Sequence, residues 1–596
     1  MGLIVQKFGG TSVGSVERIK AVAQRVKQTA EQGNSVVVVV SAMGKSTDTL
    51  VQLAREVSSN PCRREMDMLL STGEQVSISL LSMALQELGQ PAISLTGAQV
   101  GIVTEPEHTR ARILHIATER LERHLQEGKV VVVAGFQGTS NTSDLEVTTL
   151  GRGGSDTSAV ALAAALRAEK CEIYTDVAGV LTTDPRLVEN AQLMTEITCE
   201  EMLELASLGA NVLHPRAVEI ARNYGVQMVV RSSWTDEPGT QIISTGTQPK
   251  TLTDLELGRP VDAVHFDLNQ AKVALLHVAD RPGVAAGLFG ELANQGLDVD
   301  LIIQSIHEGN SNDIAFTVAQ DCCDRAEAVA TAFGSTLPSV RASDVLVERN
   351  VAKVSIVGAG MIGRPQIAAQ MFQTLSDLGI NLQMISTSEV NVSCTIAAAD
   401  CERATKALCD AFEVTSSSID SGISLPNDPI PPVRGVALDL EQAQLAIRNV
   451  PDRPGMAAHI FQVLAKRNIS VDMIIQSQRS RQVKGQITRD IAFTVAERDL
   501  DLATGLLQDL SSTLGCGEVA SDSAIAKVSI VGIGMLGQPG VAARMFTALA
   551  HQKINIQMIA TSEIRVSCVV SQTDGVTALQ VIHKAFQLGL LASPVP

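Results

Sequence analysis

Aromatic residues are scarce in this chain: 12 Phe, 2 Tyr and 1 Trp in 596 residues. Its cores must therefore be built from Val, Ile, Leu, Ala and Met. The ten cysteines include no C-x-x-C pair, and only Cys322 and Cys323 are adjacent. That excludes a zinc-ribbon spacing and a disulfide framework. No apolar run approaches the ~18 residues of a membrane-crossing helix. The first residues, MGLIVQKFGG, lack a basic segment followed by an apolar one, and lack Ser or Thr at position 6, so neither a secretory nor a myristoylation signal is read there. Positive charge is in deficit too, with 47 Lys and Arg against 64 Asp and Glu, a net charge of −17. An acidic surface disfavours nucleic acid and anionic membranes as partners, yet leaves room for a local cationic pocket. A soluble protein of a reduced, cytoplasmic-type compartment is expected.

What is present is an α/β pattern. Residues 1–246 alternate strand and helix signals, as a mostly parallel sheet covered by helices would. Strands are predicted at 4–8, 35–40, 92–95, 129–134, 171–175 and 226–230. The run SVVVVV (35–40) has the pattern of a strand buried on both faces. Helices are predicted at 65–88, 109–126 and 155–168. Two Pro-bearing polar stretches, 247–260 and 424–432, read as linkers.

Beyond the first linker the chain repeats itself. ADRPGVAAGLFGELANQGLDVDLIIQS (279–305) corresponds to PDRPGMAAHIFQVLAKRNISVDMIIQS (451–477), DIAFTVA occurs at 313–319 and 490–496, and NLQMISTSEVNVSC (381–394) corresponds to NIQMIATSEIRVSC (555–568). The offset is 172 at Asp452 and 174 at Asn555, so a unit of about 170 residues is duplicated with small insertions. One of these, SRQVKGQ, has no counterpart in the first copy. Each copy divides again, giving four ferredoxin-like βαββαβ modules at about 271–345, 352–423, 443–520 and 526–596. The two pairs span 261–423 and 433–596.

VSIVGAGMIG (354–363) and VSIVGIGMLG (528–537) carry G-x-G-x-x-G after a strand, the form of a dinucleotide fingerprint. The acid expected about 20 residues on is missing: the positions hold Leu382, Gln383 and Gln557. Each module is also too small for a dinucleotide domain. The glycines are read as a strand-to-helix turn that shapes an interface or an amino-acid pocket.

Chemistry concentrates in the first 246 residues. KFGGTS (7–12) ends the first strand, where glycines let backbone approach phosphate and Lys7 adds a point charge. SAMGKSTDTL (41–50) brings hydroxyls to a strand end, with Ser46 or Thr47 expected as a helix cap. LLSTGEQVS (69–77) sets Glu74 in an apolar helix, either solvated or paired to an ammonium. GRGGSD (151–156) places Arg152 between glycines, able to grip a carboxylate bidentately, with Ser155 and Asp156 expected to cap the helix that follows. YTDVAGVLTTDPR (174–186) adds Thr175, Asp176 and Arg186. His214-Pro215 reads as structural. Such a site suits phosphoryl transfer by positioning and charge.

KFGGTSV, SAMGKST, STGE, GRGGSDTSA, TDVAGVLTTDPR and GANVLHPRAVE, in this order, resemble the aspartokinase family, and the repeats resemble its amino-acid-sensing ACT modules. Four modules instead of two resemble the long cyanobacterial form. The resemblance implies an amino-acid-kinase domain followed by two tandem ACT pairs. It implies transfer of the ATP γ-phosphoryl group, with Mg²⁺ carried by the nucleotide, to the β-carboxylate of L-aspartate. This would open lysine, threonine, methionine and isoleucine synthesis. It assigns Lys7 to the transferring phosphoryl group, Gly9, Gly10 and Ser12 to the phosphates, and Thr175, Asp176 and Arg186 to ATP. Glu74 would take the substrate ammonium and Arg152 its α-carboxylate, with Ser41, Thr47, Ser155 and Asp156 completing the site. Lysine and threonine would be the effectors. One pocket would use Asp280, Gly283, Ala285 and Gln304 with Asn381, Leu382, Ser388 and Glu389. The other would use Asp452, Gly455, Ala457 and Gln476 with Asn555, Ile556, Ser562 and Glu563. The strands 261–267 and 433–439 would complete the second module of each pair, and ACT pairing would give a homodimer. The chain departs from the family at Asn211, often Lys, and Leu181, sometimes aromatic. Another amino-acid kinase of the same fold, or a catalytically silent sensor, are the alternatives.

Overall fold

The computed structural model describes residues 2–210, 212–244, 255–307, 311–418, 431–483 and 485–589. Asn211 and most of both linkers lie outside them. The chain forms two compact units. The first comprises Met1–Leu181, Leu193–Ala206 and Ala210–Gly258, and the second comprises Thr182–Gln192, Ser207–Gly209 and Arg259–Pro596.

The first unit is built on an eight-stranded sheet. Its central strand, Leu3–Phe8, pairs in parallel with Ser35–Val40 on one side and Lys170–Thr175 on the other. Val130–Ala134 and Ala92–Leu95 continue it outward from Ser35–Val40. Met228–Ser232, Thr240–Ile243 and Glu196–Thr198 continue the other side, with one antiparallel pairing, between the first two. The Val36–Val40 run is buried throughout, as its lack of alternation predicts. Val36, Val38 and Val40 pack with Ile19, Val22, Ile78 and Leu81 of the helices Val16–Glu31 and Arg63–Glu87. The small-residue helix Gly154–Ala165 is buried along its length. By length and composition Arg63–Glu87 passes for a membrane span, but half of its apolar window is buried in the protein and the face it buries carries Asp67 and Glu74.

The region read as one helix over 109–126 is a strand, Ile113–Ile116, followed by a shorter helix, Glu119–Gln126. The short run I-L-H-I fits either period over four residues. Its strand partner, Ile102–Thr104, belongs to a four-stranded sheet with Gln137–Ser140 and Val147–Thr149 that sequence periodicity did not show.

The second unit holds the four modules. Gln270–Ala279 with Ser311–Ala319 and Ile302–His307 form the centre of the first. The strand before it, Ala263–Asp267, pairs with Lys353–Val357 of the second module. In the second copy Gly435–Asp439 pairs with Lys527–Val531 of the fourth. Each leading strand thus completes the second module of its copy, as expected. The insertion in the third module extends a hairpin, Arg481–Val483 against Gln486–Thr488.

The modules associate across the copies. Ile302–His307 of the first continues into Met558–Ser562 of the fourth, joining them in one eleven-stranded sheet. One hydrophobic core combines Phe289 and Phe316 of the first module with Phe546 of the fourth. The other combines Phe372 of the second with Phe461 and Phe493 of the third. A buried charge cluster ties the same unit together. Asp472 lies 3.0 Å from Arg565 and 3.1 Å from Lys527, and Arg565 also donates to the Thr387 carbonyl. Burial alone would raise the Asp472 carboxyl, but Arg565 and Lys527 hold it well below the usual carboxylate range.

The glycine fingerprint now has a cause. A Cβ on Gly358 would lie 2.4 Å from the Pro260 carbonyl oxygen, and one on Gly360 2.6 Å from the Pro260 Cα. In the second copy Gly532 and Gly534 meet Pro432 and Pro431 at 2.4 and 2.7 Å. The glycines let the chain entering each leading strand cross the turn. They cradle protein backbone, not a pyrophosphate.

Candidate active site

The carboxyl ends of the central parallel strands meet where the chain order reverses about Leu3–Phe8, the position at which open α/β sheets bind ligands. Lys7 is on that strand, and its Nζ lies 2.6 Å from Asp156 Oδ1, both side chains largely buried. Asp156 and Ser155 are buried in the first turn of the Gly154–Ala165 helix. They do not cap it: the N-cap is Gly153, at φ 70°, with no side-chain cap bond. A Cβ at Gly153 would run into the His214 ring at 2.3 Å. His214 in turn caps the helix Pro215–Tyr224, accepting from the Arg216 amide through Nδ1. Burial holds its imidazole below the usual range, and its role is structural, as read. Arg152 projects from this tight loop exposed, with no hydrogen bond or ion pair among the described residues.

The KFGGTS turn is equally cramped. The Gly10 carbonyl accepts from the Gly44 amide, and a Cβ on Gly10 would lie 2.9 Å from the Ala42 carbonyl oxygen. Ser12 is fully buried and its hydroxyl is 2.6 Å from that of Ser233. The Gly9 amide donates to the carbonyl of Tyr174, and the hydroxyl of the next residue, Thr175, donates to Asp176. Ser41 follows the second strand, and Thr47 lies in the helix Ser46–Val57. Lys45 precedes that helix without a side-chain cap; Ser46 instead donates back to the Met43 carbonyl. Neither Ser46 nor Thr47 is the expected cap.

Glu74 is 3% exposed. One carboxylate oxygen accepts from the Ala42 amide; the other has no hydrogen-bond partner among the described residues. Burial pushes this carboxyl up to about 7, against opposing backbone hydrogen bonds from its own amide and from Ala42. A buried, half-satisfied acid at a strand-end site is prepared for a cationic partner.

Sequence reasoning missed the support beneath. Asp67, fully buried, accepts from the Thr149 hydroxyl, the Thr109 amide and His108. It anchors the strand that leads into the arginine loop. The signal was available: Asp67 stands seven residues before Glu74, two turns away on one helix face. Arg186 belongs to the second unit. It is exposed and paired with Asp184 at 2.6 Å. Leu181 bridges Leu193.

In the second unit two cavities lie between modules of different copies. The first is lined by Gly283, Ala285 and Gln304 with Asn555 and Ile556. There Asn555 and Asn312 both donate to Asp280, and Gln304 donates to the Ile556 carbonyl. The second is lined by Gly455, Ala457 and Gln476 with Asn381 and Leu382, where Asn381 donates to Asp452. The expected grouping within each copy is therefore exchanged. Ser388, Glu389, Ser562 and Glu563 line neither cavity. The Ser388 hydroxyl accepts from the Asn391 amide in its own turn, and Glu563 lies 3.9 Å from Lys353.

Residues 2–232 match the amino acid kinase family, and 272–336, 354–412, 445–512 and 528–586 match the ACT domain. Fold and site together define an amino-acid kinase carrying four ACT domains. An aspartokinase from Bacillus sp. MGA3 is 51% identical over 421 residues, 71% of this chain and all of that protein. Aspartokinase 2 of Bacillus subtilis is 50% identical over 70% of this chain and 98% of its own length. A crystal structure of aspartate kinase from Synechocystis is 63% identical, superposes with a TM-score of 0.84 and covers the whole of both chains. The chain belongs to the aspartokinase family and is an ATP-dependent aspartate kinase.

Proposed function

We propose that the enzyme forms 4-phospho-L-aspartate at the strand-end cluster, with each side chain in a distinct role. Glu74 binds the substrate ammonium with its unpartnered oxygen. Arg152 holds the α-carboxylate, while Ser41, Thr47 and Ser155 orient the rest of the substrate. The attacking β-carboxylate is already ionised at neutral pH, so no general base is needed. Lys7 neutralises charge on the transferring γ-phosphoryl group, and Asp156 fixes the lysine in place at 2.6 Å. Gly9, Gly10 and Ser12 line the phosphates; Thr175 and Asp176 face the nucleotide. Mg²⁺ would arrive with the nucleotide, whose phosphates supply most of its ligands. The carrying observation is the buried Glu74 oxygen with no partner, in the same sheet-edge site as the Lys7–Asp156 pair.

The reaction opens synthesis of lysine, threonine, methionine and isoleucine, and lysine and threonine inhibit it by binding at the inter-copy ACT cavities. The support is a glycine-started helix, a glutamine and an asparagine lining each cavity, with an aspartate accepting from that asparagine. The enzyme works in the cytoplasm as a homodimer associating through its ACT domains. ADP release should require aspartate and fail with glutamate or N-acetylglutamate. Titrating lysine and threonine separately and together should lower it; indifference to both removes the effector assignment.

A further inference from the structure

We infer that the two ACT cavities are electrostatically unequal and that position 489 sets the difference. The inference rests on the reading of these cavities as amino-acid sites. Most lining positions match: Pro282 with Pro454, Gln304 with Gln476, Phe546 with Phe372, Asn555 with Asn381. Asp452 lines its cavity directly, whereas Asp280 stands behind the lining Asn312 and Asn555, both of which donate to it. Both cavities also carry an arginine beside the shared proline, Arg281 and Arg453, so its charge cancels in the comparison. The repeat breaks immediately before DIAFTVA, where the first copy has Asn312 and the second Arg489.

The structure shows what that exchange does. Asp280 receives two neutral amide donors, Asn312 at 3.0 Å and Asn555 at 2.8 Å. Its negative charge meets no ion-pair partner among the described residues. Asp452 accepts one amide, from Asn381 at 3.1 Å, and is ion-paired with the Arg489 guanidinium, whose Nε lies 2.8 Å from its second oxygen without forming a hydrogen bond. Both members of this pair are largely shielded, at 21% and 10% side-chain exposure, so water screens it weakly.

An amino acid presents an ammonium to such a carboxylate. At Asp280 it gains the full attraction of an uncompensated charge. At Asp452 it must displace Arg489 or bind beside it against like-charge repulsion. The Asp280 cavity is therefore the tight site and the Asp452 cavity the weak one. Arg489 acts as a built-in competitor for the ligand ammonium.

Calorimetric titration of the full chain with L-threonine, and separately with L-lysine, tests this. Two sites differing at least about tenfold are expected. Arg489→Asn should tighten the weak site by about fivefold or more and leave the tight one alone. Arg489→Lys, which keeps the charge, should behave as the unaltered chain. Asn312→Arg should weaken the tight site by about tenfold. Thermal midpoints of the three variants check that each is folded. A weak site that Arg489→Asn leaves unchanged or weakens further overturns the inference, as does a tight site indifferent to Asn312→Arg. No heat from either amino acid with the unaltered chain is a different failure, that of the effector reading itself.

Discussion

The two side chains proposed to carry the substrate end of the site lie in opposite environments. Arg152 is exposed on a glycine loop, with no hydrogen bond or ion pair among the described residues. Arg152→Ala should therefore leave folding intact and raise the KM for aspartate by about 10²-fold, the range for losing a bidentate charge-assisted contact. ATP binding should change little; unaltered aspartate kinetics would refute the role. Glu74 is buried. With its carboxyl raised to about 7 from an ordinary 4.5, the folded enzyme holds a proton that the unfolded chain releases. The stabilisation from that proton is complete below roughly pH 4.5 and is lost as pH rises through 7. At pH 8 the ionised form costs on the order of 3 kcal/mol. Glu74→Gln should thus raise the thermal midpoint relative to the parent at pH 8, with the gain shrinking toward pH 5.5. Aspartate should stabilise the parent but not the variant. A gain of the same size at both pH values would show that the acid is not buried in its ionised form.

At the scale of elements, the recurrent device is a glycine at a close approach. Gly153 leaves room for the His214 ring, and Gly360 and Gly534 let each leading strand pass over a module turn. Gly534→Ala would put a methyl 2.7 Å from the Pro431 carbonyl oxygen, and Gly360→Ala one 2.6 Å from the Pro260 Cα. Each should cost about 1–3 kcal/mol by displacing packed backbone. Urea unfolding measures this, and a shift below about 0.5 kcal/mol would mean the crossing is loose. The leading strands were legible in sequence because they repeat. The small sheet containing Ile102–Thr104 and Ile113–Ile116 was not, because strands of three or four residues carry too few positions to separate a period of 2 from one of 3.6.

At the scale of the whole chain, duplication did not yield two independent regulatory pairs. Each core takes one module from each copy. A chain ending at residue 423 would keep Phe289 and Phe316 without Phe546, and Phe372 without Phe461 and Phe493. It should expose both apolar faces and either self-associate through them or bind a hydrophobic dye, while the full chain does neither at those faces. Sedimentation of the truncated chain with dye-binding fluorescence reads this out; a truncated form that is monomeric and dye-silent would contradict the shared cores.

The sequence by itself determined the family, the α/β class and the four modules, and it pointed to the residues of the candidate site. Each of these follows from local order: a buried Val run, glycine loops at strand ends, an internal repeat. It also determined that G-x-G-x-x-G was no nucleotide fingerprint, since the required acid is absent. Only the tertiary structure decided which partner each asparagine meets. Asn381 and Asn555 occupy corresponding positions of closely similar motifs, so nothing local distinguishes Asp280 from Asp452 as the partner. That choice is made by packing, in which Phe289 meets Phe546 and Phe372 meets Phe461. The same packing turned one exchanged residue, Asn312 against Arg489, into a difference between two largely matching cavities.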